Sequence, residues 1–134
     1  MNNLGAMMNR KQILVVDDNA MLLRNMKYLL EDKYNVSVAA SGPQALNSIR
    51  RQKPDLILLD YEMPEMNGIE TLEAIRSDNT MKDIPVIFLT AVADSDVVTE
   101  VAKLKPQGYT LKPPVRSKLL EVIERVLKES ERGF

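Results

Sequence analysis

Short apolar runs alternate with helical patterns along most of this chain. Five runs are present, at residues 13–16, 36–39, 56–59, 86–89 and 109–111. Three of them are continuous and aliphatic, which is typical of strands buried on both faces of a parallel sheet. The run at 36–39 is less uniformly apolar, so we expect it at an edge of the sheet.

Apolar residues at helical spacing follow each of the five runs. The stripes are Leu22, Met26, Leu29 and Leu30; Leu46 and Ile49; Ile69, Leu72 and Ile75; Val97, Val101 and Leu104; and Leu119, Val122, Ile123, Val126 and Leu127. The second stripe is preceded by Ser41-Gly42-Pro43-Gln44, which fits a capping box with proline in the first turn. A strand-helix order repeated five times predicts a doubly wound α/β fold, in which helices cover both faces of a five-stranded parallel sheet.

The fourth predicted helix differs from the others in composition. Its residues Val97, Val98, Thr99 and Val101 are β-branched, and such side chains lose rotamer freedom in a helix. We therefore expect this segment to be the mobile element of the domain.

Composition and charge indicate a single globular domain. The chain has 134 residues, of which 45% are hydrophobic, and a net charge of −1. We place one domain at residues 10–131, after a disordered tail at residues 1–9. The low net charge gives no positive field that would attract nucleic acid or anionic lipid, and no apolar run approaches the ~20 residues of a membrane span. We expect a cytoplasmic protein without direct contact to nucleic acid or membrane.

The sequence contains neither Cys nor His. It therefore has no thiolate nucleophile, no imidazole base and no zinc site built on sulfur. Any metal ion has to bind through oxygen ligands, which favours a hard cation such as Mg²⁺. The lack of His also excludes a role as a phosphohistidine donor.

Side chains that can carry chemistry follow four of the five runs. In a doubly wound sheet, the loops after the carboxyl ends of the strands line the ligand crevice. Here they deliver Asp17 and Asp18 after the first run, Asp60 after the third, Thr90 after the fourth and Lys112 after the fifth. Each residue alone fits an ordinary polar loop, but the combination predicts one site.

The charges of this predicted site favour a divalent cation. Three carboxylates carry three negative charges and repel one another, so each is held more readily in its neutral form. One divalent cation and Lys112 together balance those charges. We predict a Mg²⁺ site, which Mn²⁺ would also fit.

The motifs around these residues resemble those of a known family. Val-Asp17-Asp18-Asn, the segment from Asp60 to Gly68 with Met63-Pro64, Thr90-Ala91 and Lys112-Pro113 are similar to the receiver (CheY-like) domain of bacterial two-component response regulators. The resemblance covers nearly the whole chain. It implies a single flavodoxin-like (βα)5 domain whose strands are ordered 2-1-3-4-5.

The resemblance also implies a role for each acidic residue. Asp60 matches the phosphoacceptor, a carboxylate nucleophile that forms an acyl phosphate. Asp18, Asp60 and the backbone carbonyl of Glu62 match the Mg²⁺ ligands, and Asp17 matches a residue that helps to hold the ion.

Three further residues match the parts of the family that respond to the phosphoryl group. Lys112 corresponds to the cation that pairs with a phosphoryl oxygen, and Thr90 to the switch hydroxyl that hydrogen-bonds the phosphoryl group. Tyr109 corresponds to the aromatic residue that swings inward with the switch. The peptide bond before Pro113 is cis in the family.

These matches imply a signalling function. The phosphoryl group would come from a phosphohistidine on a sensor histidine kinase or a histidine phosphotransfer protein. A downstream protein would then bind the helix 4–strand 5–helix 5 face, which is formed by the fourth predicted helix, the fifth strand and the last helix. We expect no turnover of an outside substrate, so the protein is not an enzyme in that sense.

Three alternatives stand beside this interpretation. The chain fits equally a receiver domain excised from a longer regulator with a DNA-binding or enzymatic output domain. A phosphatase with an aspartyl nucleophile would share the chemistry, but that class has a second Asp two positions after the nucleophile, where Glu62 stands. A docking module without phosphorylation would have no need for the five side chains that are all present.

Two features depart from the family or vary within it. Glu62 and Val92 lie two residues after Asp60 and Thr90, at positions that tune the lifetime of the phosphoryl group. The turn Lys105-Pro106-Gln107-Gly108 differs from the Gly-Ala-containing turn that commonly precedes the fifth strand. The sequence alone predicts no conformation for this turn.

Overall fold

A computed structural model describes residues 9–91, 99 and 102–132. Its five strands are β1 (Gln12–Val16), β2 (Asn35–Ala39), β3 (Leu56–Asp60), β4 (Val86–Thr90) and β5 (Gly108–Leu111). They form one parallel sheet in the order β2-β1-β3-β4-β5. The predicted fold class and strand order are confirmed, and β2 lies at an edge as its weaker apolar pattern indicated.

Four helices are complete within the described residues. They are α1 (Ala20–Leu30), α2 (Gly42–Arg51), α3 (Gly68–Ser77) and α4 (Arg116–Glu131), so α4 is the fifth predicted helix. The fourth predicted helix falls mainly on residues outside the described ranges, as do Val92 and most of the predicted tail at 1–9. Of its stripe, the described Leu104 is half-buried and packs against the core.

The sheet has a hydrophobic core on each face. Leu14 and Val16 of β1 point to the side covered by α2 and α3, whereas Ile13 and Val15 point to the side covered by α1 and α4. This alternation follows from the two-residue period of a strand. All five residues of β3 are buried, so the central strand holds its last residue, Asp60, inside the domain.

Two helical details differ from the sequence predictions. Helix α1 buries Met26 and Leu30 of the predicted stripe together with Leu23, whereas Leu22 and Leu29 of that stripe are only half-buried. Adjacent leucines at 22–23 and 29–30 make both faces apolar in the sequence, and packing on the sheet selects between them. At α2, the Ser41 side chain accepts the Gln44 N–H as predicted, but the Gln44 side chain accepts from the N–H of Ala40, so the capping box is not reciprocal.

Candidate functional site

Asp17 and Asp18 lie in the loop after β1, which hydrogen bonds fix at both ends. The backbone N–H of Asp17 donates to the carbonyl of Ala39 at 3.1 Å, and Asp17 Oδ1 accepts the N–H of Asn19 at 2.9 Å. The Asn19 side chain then caps α1 by accepting two of its backbone N–H groups, which is the usual role of Asn at this position. Asp17 is fully buried, and Asp18 is exposed at the mouth of the cleft.

Asp60 lies at the end of the central strand with only 3% of its surface exposed. The chain leaves β3 through Tyr61, whose carbonyl accepts the N–H of Gly68 at 2.9 Å. A Cβ atom at position 68 would collide with the carbonyl oxygen of Asp60 and lie 2.8 Å from the Cα atom of Tyr61. Glycine is therefore required here by the close approach of two backbones.

Lys112 connects Asp17, in the loop after β1, with Asp60, at the end of β3. Its Nζ atom lies 2.7 Å from Asp17 Oδ2 and 2.8 Å from Asp60 Oδ1. The backbone N–H of Lys112 donates to the carbonyl of Thr90 at 2.8 Å, which continues the pairing of β4 and β5 into the site. The bond between Lys112 and Pro113 is cis, as the resemblance implied.

The charged groups of the cleft shift one another's pKa values. Burial raises the pKa of the Asp60 carboxyl from 3.8 to about 6, because an ionised carboxylate loses its hydration in the interior. The hydrogen bond from Lys112 opposes this shift, while the charge of Asp17 adds to it. For Lys112 itself, burial lowers the pKa of the ammonium, but its close contacts with the carboxylates of Asp17 and Asp60 outweigh burial and raise that pKa overall.

The donor set fits a hard divalent cation. Asp17, Asp18 and Asp60 each offer a carboxylate oxygen, and these oxygens lie within 4.8 Å of one another. The buried Oδ2 atom of Asp17 receives no hydrogen bond of good geometry from the described residues, although it is ion-paired with Lys112. When all three carboxylates are ionised, the Lys112 ammonium neutralises one of their three negative charges, and two remain. All-oxygen ligands with excess negative charge are the ligands that Mg²⁺ and Mn²⁺ prefer.

The other predicted site residues divide into two groups. Glu62 and Thr90 line the same cleft as the three aspartates and Lys112, and the backbone N–H of Glu62 hydrogen-bonds the Asp60 carboxylate. Tyr109 lies on β5 with 41% of its surface exposed and is not among the described residues that line the cleft.

Sequence reasoning missed the residues that shape the loops around the aspartates. Asn19 caps α1 and bonds Asp17, and Asn67 forms a reciprocal capping box with Glu70 at the start of α3. The spacing of Asn67 and Glu70 is the signal that identifies such a box in a sequence.

The fold and the site define a flavodoxin-like α/β domain whose strand ends hold an acidic pocket closed by a lysine. The sequence matches the family model of the response regulator receiver domain over residues 13–124. The chemotaxis protein CheY of Pseudomonas aeruginosa is 36% identical over 119 residues, which cover 87% of this chain and 96% of that protein. The DNA-binding response regulator MtrA of Mycobacterium tuberculosis is 34% identical over 125 residues, which cover 92% of this chain and 52% of that protein.

A solved structure gives the same result. The CheY-like response regulator receiver domain protein of Methanospirillum hungatei has a TM-score of 0.86 and 30% identity, and the match covers 94% of this chain and 100% of that chain. This chain therefore belongs to the response regulator receiver domain family. Receivers of this family act in two-component signalling and interact with histidine kinases and downstream targets. None of the described helices is long and apolar enough to cross a membrane.

Proposed function

We propose that this receiver is switched by a phosphoryl group carried on Asp60, which it accepts from a phosphohistidine of a sensor kinase or phosphotransfer protein. The observation that supports this most strongly is the position of Lys112. Its ammonium contacts Asp17 and Asp60 together, so a positive charge already stands where the negative charge of a phosphoryl group would develop.

The transfer requires an ionised carboxylate on a fixed strand end. An oxygen of Asp60 forms a bond to phosphorus while the bond between phosphorus and the donor imidazole nitrogen breaks, and the imidazole keeps the electron pair of that bond. A pKa of about 6 leaves the Asp60 carboxyl mostly ionised at neutral pH. Lys112 then neutralises charge on the transferred group, and no proton-shuttling His is needed.

Asp17, Asp18, Asp60 and the backbone carbonyl of Glu62 are the groups that would hold Mg²⁺. A bound Mg²⁺ supplies positive charge that screens the phosphoryl oxygens from the carboxylates. The role of the protein residues is to fix these oxygens in advance, through the Asp17 contacts to Ala39 and Asn19.

The phosphoryl group would act on the rest of the domain through Thr90 and Tyr109. Tyr109, Leu111 and Val115 place exposed apolar surface on β5 and just before α4, which supports a downstream protein partner on this side of the domain. We propose a cytoplasmic location, because a phosphohistidine donor depends on ATP, and no turnover of an outside substrate.

The test is labelling with radioactive phosphoramidate, a small donor with the same phosphorus–nitrogen bond as phosphohistidine. We expect the wild-type protein with Mg²⁺ to gain an acid-labile label. Asp60→Asn and Asp60→Ala should gain none, because the nucleophile is gone, and EDTA should prevent labelling of the wild type.

The matched control is Asp32→Asn, which alters an exposed carboxylate that pairs with Arg116. This variant should be labelled at the wild-type rate. Labelling that persists in Asp60→Asn, or that is unaffected by EDTA, refutes the proposed site.

A further inference from the structure

Strand β5 has little in its own side chains to fix its register. Within the part of the chain that the structure describes, it is the shortest strand and pairs only with β4. On one face Gly108 is buried and Thr110 is half-buried, while Tyr109 and Leu111 on the other face are exposed. A strand whose inward face carries only a glycine and a half-buried threonine has a weakly specified register, and a slip of one residue moves everything after it by ~3.3 Å. Such a slip would carry Lys112 out of reach of Asp17 and Asp60.

Two hydrogen bonds of Gln107 fix the register of β5 on β4 at the start of the strand. Its backbone N–H donates to the carbonyl of Val86 at 2.8 Å. Its side-chain Oε1 accepts the backbone N–H of the same residue at 2.7 Å. Gln107 therefore hydrogen-bonds both backbone polar groups of Val86, the first residue of β4. These contacts lie at the end of the strands opposite to the acidic cleft.

Arg76, at the end of α3, holds Gln107 and the turn before it. One guanidinium NH2 group donates to Gln107 Oε1 at 3.0 Å, and the Nε atom donates to the carbonyl of Leu104 at 3.3 Å. The other NH2 group donates to the carbonyls of Lys82 and Ile84 at 3.0 and 2.8 Å. A single half-buried side chain thus ties α3 to the segments that enter β4 and β5.

The backbone of the turn is adapted to this contact. Lys105 has a φ of 54°, in the left-handed region that non-glycine residues seldom adopt. Its carbonyl lies 3.4 Å from Arg76 Nη2, next to the carbonyl of Leu104. The segment Lys105-Pro106-Gln107-Gly108, which departs from the usual turn of the family, therefore has a specific partner in Arg76.

We propose that Arg76 and Gln107 are positioning residues that fix the register of β5 on β4 and thereby place Lys112 in the cleft. The two ends of one strand pair are linked: Gln107 contacts Val86 at the start, and the N–H of Lys112 donates to Thr90 at the finish. The consequence for phosphoryl transfer rests on the proposed function, whereas the consequence for register does not.

The test compares Gln107→Ala with Gln107→Glu. Alanine removes the acceptor for both Arg76 and Val86, while a glutamate carboxylate keeps an acceptor oxygen at that place. The control is Ile49→Val, a truncation in the buried face of α2, made to lower the free energy of unfolding by a similar amount without touching β5. All proteins are studied as the full chain.

Two measurements distinguish positioning from a loss of stability. The first is hydrogen exchange at the Lys112 amide, which we expect to be about tenfold faster in Gln107→Ala than in Ile49→Val at equal stability. The second is the rate of labelling by phosphoramidate with Mg²⁺, which we expect to fall about tenfold or more in Gln107→Ala, because small misplacements of catalytic groups are costly. Gln107→Glu should restore both values to within about twofold of the wild type.

Equal exchange and equal labelling in Gln107→Ala and Ile49→Val would overturn the proposal. If the wild-type protein is not labelled at all, the proposed function fails, and the exchange measurement still decides the positioning role. Should Gln107→Ala not fold, Arg76→Lys keeps the charge but lacks the planar fork. It must then show the faster Lys112 exchange, and normal exchange in that variant counts against the proposal.

Discussion

At the scale of single residues, the site is built around a carboxylate that is held ionised against its surroundings. Asp60 is almost fully buried and close to the negative charge of Asp17, and among the described residues only Lys112 and the backbone N–H of Glu62 favour its charged form. The same burial that would make Asp60 a poorly hydrated nucleophile in the proposed transfer makes its charge unfavourable for folding. Function and stability therefore oppose each other at this residue.

This opposition predicts that replacing Asp60 by Asn changes the free energy of unfolding in a pH-dependent way. The pKa of Asp60 is raised, so its contribution to stability is fully present below pH ~4 and is lost as the pH rises through about 6. Asp60→Asn, which resembles the protonated acid, should raise the free energy of unfolding at pH ~8 by up to about 3 kcal/mol, since each pKa unit corresponds to about 1.4 kcal/mol. Near pH 4 the variant and the wild type should unfold alike.

Urea unfolding in EDTA at the two pH values measures this difference. Glu121→Gln, on the exposed face of α4, is the control and should change stability by less than about 0.5 kcal/mol at either pH. A gain from Asp60→Asn that is larger at low pH than at high pH would contradict the assigned pKa shift.

At the scale of elements, the loop from β3 to α3 is shaped by close contacts. Gly68 begins α3 directly beneath the backbone of Asp60 and Tyr61, and the capping box of Asn67 and Glu70 fixes the first turn of the helix. The position of the Asp60 backbone therefore depends on the start of α3 as well as on its own strand.

Gly68→Ala tests this dependence. The added methyl group has to displace the backbone at Asp60, so we expect a loss of about 1–3 kcal/mol in stability and a phosphoramidate labelling rate that falls about tenfold or more. Gly42→Ala is the matched control, because a Cβ there would lie 2.5 Å from Thr71 Oγ1 and 2.7 Å from Met66 Sδ, which are side-chain atoms, rather than against the backbone of Asp60. It should lose stability but keep its labelling rate, and equal labelling in both variants would refute the role of Gly68.

These elements also show what the sequence alone can predict. Continuous aliphatic runs predict the buried strands, and parallel strands necessarily bring Asp17, Asp60 and Lys112 to one edge. The inward face of α1 could not be predicted, because Leu22 and Leu23 are equally apolar and only packing selects between them. The hydrogen-bond partners of Arg76 could not be predicted from the sequence either, because they are backbone carbonyls of segments distant in sequence.

At the scale of the whole molecule, the site and the proposed partner surface share one strand. The backbone that leads to Lys112 also carries the exposed side chains of Tyr109 and Leu111. We expect a phosphoryl group on Asp60 to contact Lys112 and Thr90, and thereby to act on the end of the β4–β5 pair. We expect a shift between two conformations rather than a local change.

Beryllofluoride with Mg²⁺, a mimic of the bound phosphoryl group, tests this coupling. We expect amide chemical shifts to change at Tyr109, at Leu111 and in the first turn of α4, as well as in the cleft. Asp60→Asn should show none of these changes. If the shifts in the wild type stop at the cleft residues, β5 does not carry the signal.

The most direct test of the account is to locate the phosphoryl group in the wild-type protein. After phosphorylation with Mg²⁺, borohydride reduction converts an aspartyl phosphate to homoserine, which mass spectrometry can assign to one position. We predict homoserine at position 60, in place of Asp60, and only in samples that contained Mg²⁺. Homoserine at another aspartate, or a modified position 60 in EDTA, would contradict the account.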